Sequence, residues 1–159
     1  MKSAASKTGK KASATKQLEG FIKKFDPAVA KLARSVRGEM RKRFPSAVEL
    51  VYDNYNALAI GFGPTERASE AIVSVAVYPR GVSLYFMYGR SLPDPKRLLQ
   101  GQGNRGAFIR VDDPSVLHDP DVNALLVAAT KHAKPPLPEK RRGYTIIKSI
   151  SSKQRPRRP

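Results

Sequence analysis

The sequence predicts an α+β domain, a two-layer fold in which a mainly antiparallel sheet of about five strands packs against N-terminal and C-terminal helices. Three observations carry this. A helical period over residues 27–44 gives way to β-branched and aromatic runs between residues 48 and 87, and a second helical stripe returns over residues 122–129. Helices, then strands, then a strand and a helix is the order of an α+β chain. Pro79-Arg80-Gly81 joins two strand runs and is too short for a parallel crossover, so that pair must be antiparallel.

Four Asp-Pro dipeptides, at Asp26-Pro27, Asp94-Pro95, Asp113-Pro114 and Asp119-Pro120, each place an N-cap before a residue suited to the first helical position, and they read as helix starts. After the first, Val29, Leu32, Val36, Met40 and Phe44 recur at spacings of three and four, while Lys31, Arg34, Arg37, Arg41 and Lys42 fall largely elsewhere around the helix, which ends near Pro45. Upstream, Leu18, Phe21, Ile22 and Phe25 suit a short preceding helix that feeds the same core. The runs VELVYD, ALAIGF, AIVSVAVY and VSLYFM read as four successive strands. In the last, Val82, Leu84 and Phe86 face one way and Ser83, Tyr85 and Met87 the other, giving one face for helices and one partly polar face. Residues 95–100 suggest a short helix, residues 101–106 a glycine-rich turn, and Ala107-Phe-Ile-Arg-Val111 a fifth strand. A final helix carries Val122, Leu125, Leu126 and Ala129 as its apolar stripe, with Lys131, His132 and Lys134 suiting the negative end of its dipole.

Charge divides the 159 residues into three parts. Lys and Arg number 30 against 13 Asp and Glu, a net charge of +17. Residues 1–17 contribute +5, residues 134–159 contribute +8, and the central residues 18–133 only +4. The first part is Lys, Ala, Ser and Thr with no large apolar residue after Met1 until Leu18, and reads as an unstructured basic tail. The last part opens with Lys134-Pro-Pro-Leu-Pro138, a semi-rigid linker. Residues 143–150 alternate in character and read either as an added strand or as a weakly docked segment, and residues 151–159 as a basic unstructured end. Such tails bind phosphate backbones non-specifically, with steep salt dependence, or simply solubilise the chain. The absence of cysteine excludes disulfides, thiolate metal sites and a cysteine nucleophile, which makes a reducing cytoplasm the expected setting. No apolar run approaches a membrane span.

Motifs for catalysis are weak. Gly101, Gly103 and Gly106 give a literal G-x-G-x-x-G, but it follows a helical turn and opens a strand, the reverse of a dinucleotide fingerprint, and so reads as a flexible turn. Gly61-Phe62-Gly63-Pro64 reads as a strand end and turn. His118 and His132 lie near helix ends, where capping or solvation accounts for them. Oxygen ligands for a metal are restricted to Asp112, Asp113, Asp119 and Asp121 with His118, two of them already used as caps, and to Glu66 and Glu70, which a solvated loop explains equally. We assign no catalytic residue, no metal site and no cofactor. Tyr52, Tyr55, Tyr78, Tyr85 and Tyr88 accompany Arg80, Arg90, Arg105 and Arg110 in or beside predicted strands. Phenols beside guanidinium groups suit an anion or a planar ligand, and Tyr52, Tyr55, Arg80, Tyr85, Arg105 and Arg110 form the candidate binding site.

The segments Phe21-Ile-Lys-Lys-Phe-Asp-Pro27, Glu49-Leu-Val-Tyr-Asp-Asn-Tyr55, Ile60-Gly-Phe-Gly-Pro-Thr-Glu-Arg67 and Leu99-Gln-Gly-Gln-Gly103 resemble the YdhG-like bacterial family of domains of unknown function. The resemblance covers roughly residues 18–133, and Ile147-Lys-Ser-Ile-Ser-Ser-Lys-Gln-Arg-Pro-Arg-Arg158 looks like tails on some members. It implies a compact α+β domain with a mainly antiparallel sheet and no accepted catalytic motif. Some relatives are described as iron chaperones that act like frataxin. Where many relatives have an aromatic-Tyr-Gly-Met-Pro segment, this chain has Val51-Tyr52-Asp53-Asn54-Tyr55, so only Tyr52 carries over. Fixed positive charge on the central residues raises the cost of bringing in a cation. The expectation is a small non-enzymatic YdhG-like domain that binds an anionic small ligand or a protein partner. The alternatives are a nucleic-acid accessory protein acting through its basic tails, and iron delivery through Asp112, Asp113 and Asp121.

Overall fold

A computed structural model describes residues 2–159, with side chains from Ser13 onward. The helical layer is α1 (Lys2–Lys23), α2 (Pro27–Arg43) and α3 (Pro120–Lys131). The sheet is β1 (Val48–Asp53), β2 (Leu58–Gly63), β3 (Val73–Tyr78), β4 (Gly81–Phe86), β5 (Ala107–Val111) and β6 (Tyr144–Ile150), in the spatial order β5-β4-β3-β2-β1-β6. The α+β class holds, with a mixed sheet of six strands. The first five form an antiparallel meander, while β6 pairs with β1 in parallel and becomes an edge.

Strand alternation divides the sheet into two faces. Val51, Ile60, Val75, Leu84 and Ile109 are successive cross-strand neighbours on the inner face, where they join Leu18 and Ile22 of α1, Val36 and Met40 of α2, and Leu125 and Leu126 of α3 in one core. Helix α1 buries Ala14, Leu18 and Ile22 at spacings of four. It therefore extends upstream of Leu18. Of the stretch 1–17 expected to be unstructured, residues 13–17 are the part described in full, and they are helical with Ala14 against the protein.

Of the Asp-Pro pairs, three open helical turns. Asp119 caps α3 by accepting from the Asp121 and Val122 amides, Asp113 caps a short 3-10 turn (Pro114–His118) through Ser115, and Asp26 precedes α2 without a side-chain cap bond. The fourth does not begin a helix. The Asp94 carboxylate accepts from the amides of Leu98 and Leu99, each at 2.9 Å, and folds residues 95–100 into a turn that lays Gln100 beside Phe108. Side-chain competition for backbone amides is the reason the helix is lost.

The largest correction lies beyond residue 133. The segment that starts at Gly143 docks as β6, and residues 151–159, expected to be unstructured, form a strap across the sheet end. Ser151 N–H donates to the Asp53 carbonyl (2.9 Å) and Arg155 N–H to the Tyr55 carbonyl (2.9 Å). Arg157 is buried against Asp53, Nη2 to Oδ1 at 2.9 Å. Charge complementarity to a buried carboxylate orders a segment that composition alone describes as a solvated tail. The folded unit thus extends past the expected boundary at residue 133.

Gly143 is where the returning chain meets the turn before β1. Its N–H donates to the Pro45 carbonyl (2.8 Å), and a Cβ there would overlap the backbone carbonyl oxygen of Ala47. We expect Gly143→Ala to cost about 1–3 kcal/mol through overpacking against rigid backbone, read as a lowered urea midpoint with unchanged slope. A variant as stable as the parent would show that the turn yields freely.

Candidate functional site

Register builds the outer face of the sheet from two rows of cross-strand neighbours. One runs Tyr52, Ala59, Ala76, Ser83, Arg110 from β1 to β5, and the next runs Leu50, Gly61, Ser74, Tyr85, Phe108. Small residues occupy the middle of both rows, with large ones toward their ends. The result is an open trough of about 860 Å³, floored by Ala59, Ser74, Ala76 and Ser83 and bounded by Tyr52, Tyr85, Phe108 and Arg110. At the other end of β1 and β2 this face is closed, because Arg141 donates to the carbonyls of Ser46 (2.8 Å) and Pro64 (2.7 Å), and Ala71 lies over Gly63.

Five of the six candidate residues, Tyr52, Tyr55, Arg80, Tyr85 and Arg110, line this trough, with Tyr78 beside them. Arg105 does not. It is exposed on the 101–106 turn, its carbonyl accepting from Arg90 N–H at 2.8 Å. Arg90 is spent on the Gly103 carbonyl and Tyr88 on the Ser69 carbonyl, outside the trough. The sequence reading missed Phe108, although its alternation with Ile109 on β5 puts it opposite Tyr85.

The glycine at 106 has a definite role. The Tyr85 phenol occupies the space a Cβ at Gly106 would need, so the residue lets the ring lie along the trough wall. Arg110 likewise crosses over Gly81, where a Cβ would stand 2.7 Å from its Nη2. Arg110 makes one long ion pair, 3.8 Å to Asp112, both side chains well exposed, a contact that water and salt readily weaken. Burial pushes the Tyr52 phenol above its ordinary pKa, so at neutral pH it is a neutral hydrogen-bond donor. No acidic residue lines the trough.

The strap extends this chemistry. Arg155 sits over the Tyr55 ring at 5.6 Å, Ser151 lines the trough, and a second groove of about 610 Å³ runs on between Arg80, Arg155 and Arg158. Asn56, Tyr78 and Arg80 belong to both hollows, so the two adjoin.

The carboxylates proposed as oxygen ligands are dispersed into other roles. Asp113 and Asp119 cap turns, Asp112 pairs with Arg110, Asp121 with Lys96, and His118 with Glu39 at 2.7 Å. Glu70 accepts from Thr65 and Glu66 from the Tyr144 hydroxyl. Among the described residues no three His, Asp or Glu side chains converge as a metal site, and no helix is long and apolar enough to cross a membrane. A smaller hollow of about 390 Å³ lies between α3 and β4, with His132 and Lys134 at its rim.

Compared with family models, with curated proteins and with solved structures, the chain gives no match.

Proposed function

We propose that this chain is a small cytoplasmic, YdhG-like binding domain, not an enzyme, and that the outer face of its sheet holds a planar anion. The observation that carries the reading is the trough itself. Aromatic side chains stand around a floor of small residues, with Arg80 and Arg110 at one end and no carboxylate in the lining. Aromatic faces supply dispersion and stacking for a flat body, and guanidinium groups supply charge-assisted hydrogen bonds to its anionic end.

The test is thermal melting of the full chain with nucleoside monophosphates, aromatic carboxylates and iron. A ligand at a hundred times its Kd adds about 2.7 kcal/mol, which raises Tm by about 5–10 °C in a domain of this size. The expected result is a shift with a planar anion that falls sharply in Arg80→Ala and Arg110→Ala, each weakening affinity by about tenfold or more. Gly106→Ala, which displaces Tyr85, should weaken binding with little change in the unliganded Tm. No shift with any compound, or an equal shift in all three variants, overturns the reading. A shift with iron alone would favour iron delivery instead.

A further inference from the structure

The trough and the strap groove adjoin across Asn56, Tyr78 and Arg80, and together they are longer than a single small anion needs. Five strands at about 4.8 Å spacing make the outer face about 19 Å across from Tyr52 to Phe108. Beyond the trough the surface continues through Tyr78 and Arg80 into the groove under Arg155 and Arg158. Tyr55 and Tyr78 are nearly half exposed, at 48% and 45%, and neither belongs to the core. These exposed rings stand where the aromatic and the arginine-rich parts of the surface meet.

Resting on the reading of the trough as an anion site, we propose that its occupant is a segment of single-stranded nucleic acid, with bases stacked on the aromatic face and phosphates following the arginine groove. A sheet face bearing aromatics stacks two or three unpaired bases, and stacking tolerates any base because each presents a π-face. Small residues at the floor leave depth for a flat ring. Arg80, Arg110, Arg155 and Arg158 give a basic rim that matches a polyanion; Arg110 and Arg158 each face one carboxylate, Asp112 and Asp26, at 3.8 Å in exposed pairs that water and salt weaken. The strand must be unpaired, since in a duplex the base faces that Tyr85 and Phe108 would stack on are already covered. The contact also differs from loose association of basic tails: Arg155 is fixed by its own backbone bond to Tyr55 and by the ring beneath its guanidinium.

The test is fluorescence anisotropy of the full chain with a labelled oligothymidylate of about eight nucleotides, a length within the roughly 4–16 that one small sheet domain covers. Unlabelled thymidine monophosphate and a duplex of the same length serve as competitors. We expect the oligonucleotide to bind at least about tenfold more tightly than the monophosphate and the duplex. Tyr85→Ala should weaken the oligonucleotide by about tenfold or more while Tyr85→Phe retains it, which separates a lost stacking ring from a damaged fold. Arg155→Ala with Arg158→Ala should leave the monophosphate unchanged, weaken the oligonucleotide, and flatten its log-log salt slope by about 1.4, the value for two lost phosphate contacts on a single strand. Monophosphate binding that depends on Tyr85 and Arg110, with no gain from the longer strand or with equal duplex binding, overturns this inference and leaves the anion site standing. Oligonucleotide binding unaffected by every one of these substitutions also overturns this inference, and places the contact away from the trough and the strap.

Discussion

Glu49→Ala will destabilise the fold by about 3–5 kcal/mol, the cost of breaking a buried ion pair from one side. Glu49 is fully buried on the inner face, beside Phe62 in register, where the strand pattern would otherwise place an apolar residue. Its carboxylate accepts from Arg37 Nε (2.5 Å) and Nη2 (2.9 Å), from Arg41 Nη1 (2.9 Å) and from the Thr145 hydroxyl (2.6 Å). One side chain thereby ties α2, β1 and β6 together. Its removal leaves the Arg37 guanidinium, only 15% exposed, without its main partner. Replacing Glu49 and Arg37 together by methionine should recover much of the loss, because a well-packed apolar pair substitutes for a buried ionic one at little net cost. Chemical denaturation of the two single variants and the double variant checks this, and additive losses would sink it.

The same carboxyl makes stability depend on pH in a defined direction. Burial alone would raise the Glu49 pKa, but the hydrogen bonds and charge of Arg37, with Thr145 and Arg41, outweigh it and hold the group below its ordinary range. A folded pKa below the unfolded one means that the contribution is complete above about pH 4.3, the unfolded value, and is lost as pH falls through the folded value. The gap in stability between the parent and Glu49→Gln should therefore be widest near neutrality and shrink in acid. A gap that stays constant into strong acid would refute this. Arg37, whose own pKa is raised because Glu49 outweighs the effect of its burial, remains charged throughout.

Arg157→Met will have an effect of similar size, about 3–5 kcal/mol, from the opposite end of the chain. Arg157 and Asp53 have side chains 4% and 0% exposed, and Arg157 also donates to the Asn54 carbonyl at 2.5 Å and lies over the Phe25 ring. Methionine keeps much of the volume and removes the charge, leaving Asp53 with Lys24 Nζ at 3.5 Å as its remaining cation. Asp53→Asn in the same chain should recover part of the loss, since a neutral amide costs less to bury than an unpaired carboxylate. Beyond stability, the variant should free the strap, so the Arg155 amide, bonded to Tyr55, loses hydrogen-exchange protection while β3 and β4 keep theirs. By contrast Arg34→Ala, which breaks an ion pair with Glu19 that is about 40% exposed on both sides, should cost at most about 1 kcal/mol.

Local pattern made most of the fold legible. VELVYD and AFIRV correspond residue for residue to β1 and β5, and the stripe Val122, Leu125, Leu126, Ala129 is the buried side of α3. These elements obey a period that their own side chains carry. What was hidden depends on distant partners. Residues 151–159 read as tail because nothing nearby in sequence explains an Arg157 that belongs to Asp53, about a hundred positions away. Reading VELVYD as a strand left the burial of Glu49 and Asp53 open, because both are neutralised by arginines, Arg37 and Arg157, that lie far from them in sequence or on another element. The alternation of Ser83 and Tyr85 gave the trough wall, and the convergence of its other residues required the register of four strands. Arg105 entered the candidate site as an arginine beside predicted strands, on the glycine-rich turn, and it does not line the trough.

An open six-stranded sheet has two free edges, and unpaired backbone at an edge is a template for pairing with another molecule. Here each edge is spoiled differently. On the outer side of β5, Gln100 exchanges both backbone hydrogen bonds with Phe108, the second residue of a five-residue strand. On β6, the register slips between Val51 and Tyr52, which inserts an unpaired, exposed Lys148 as a charged bulge. A neighbouring chain therefore finds no straight run long enough to continue the ladder. The aromatic outer face can stay uncovered without the sheets zipping together edge to edge, because pairing is blocked at the rims of the sheet rather than by hiding the rings.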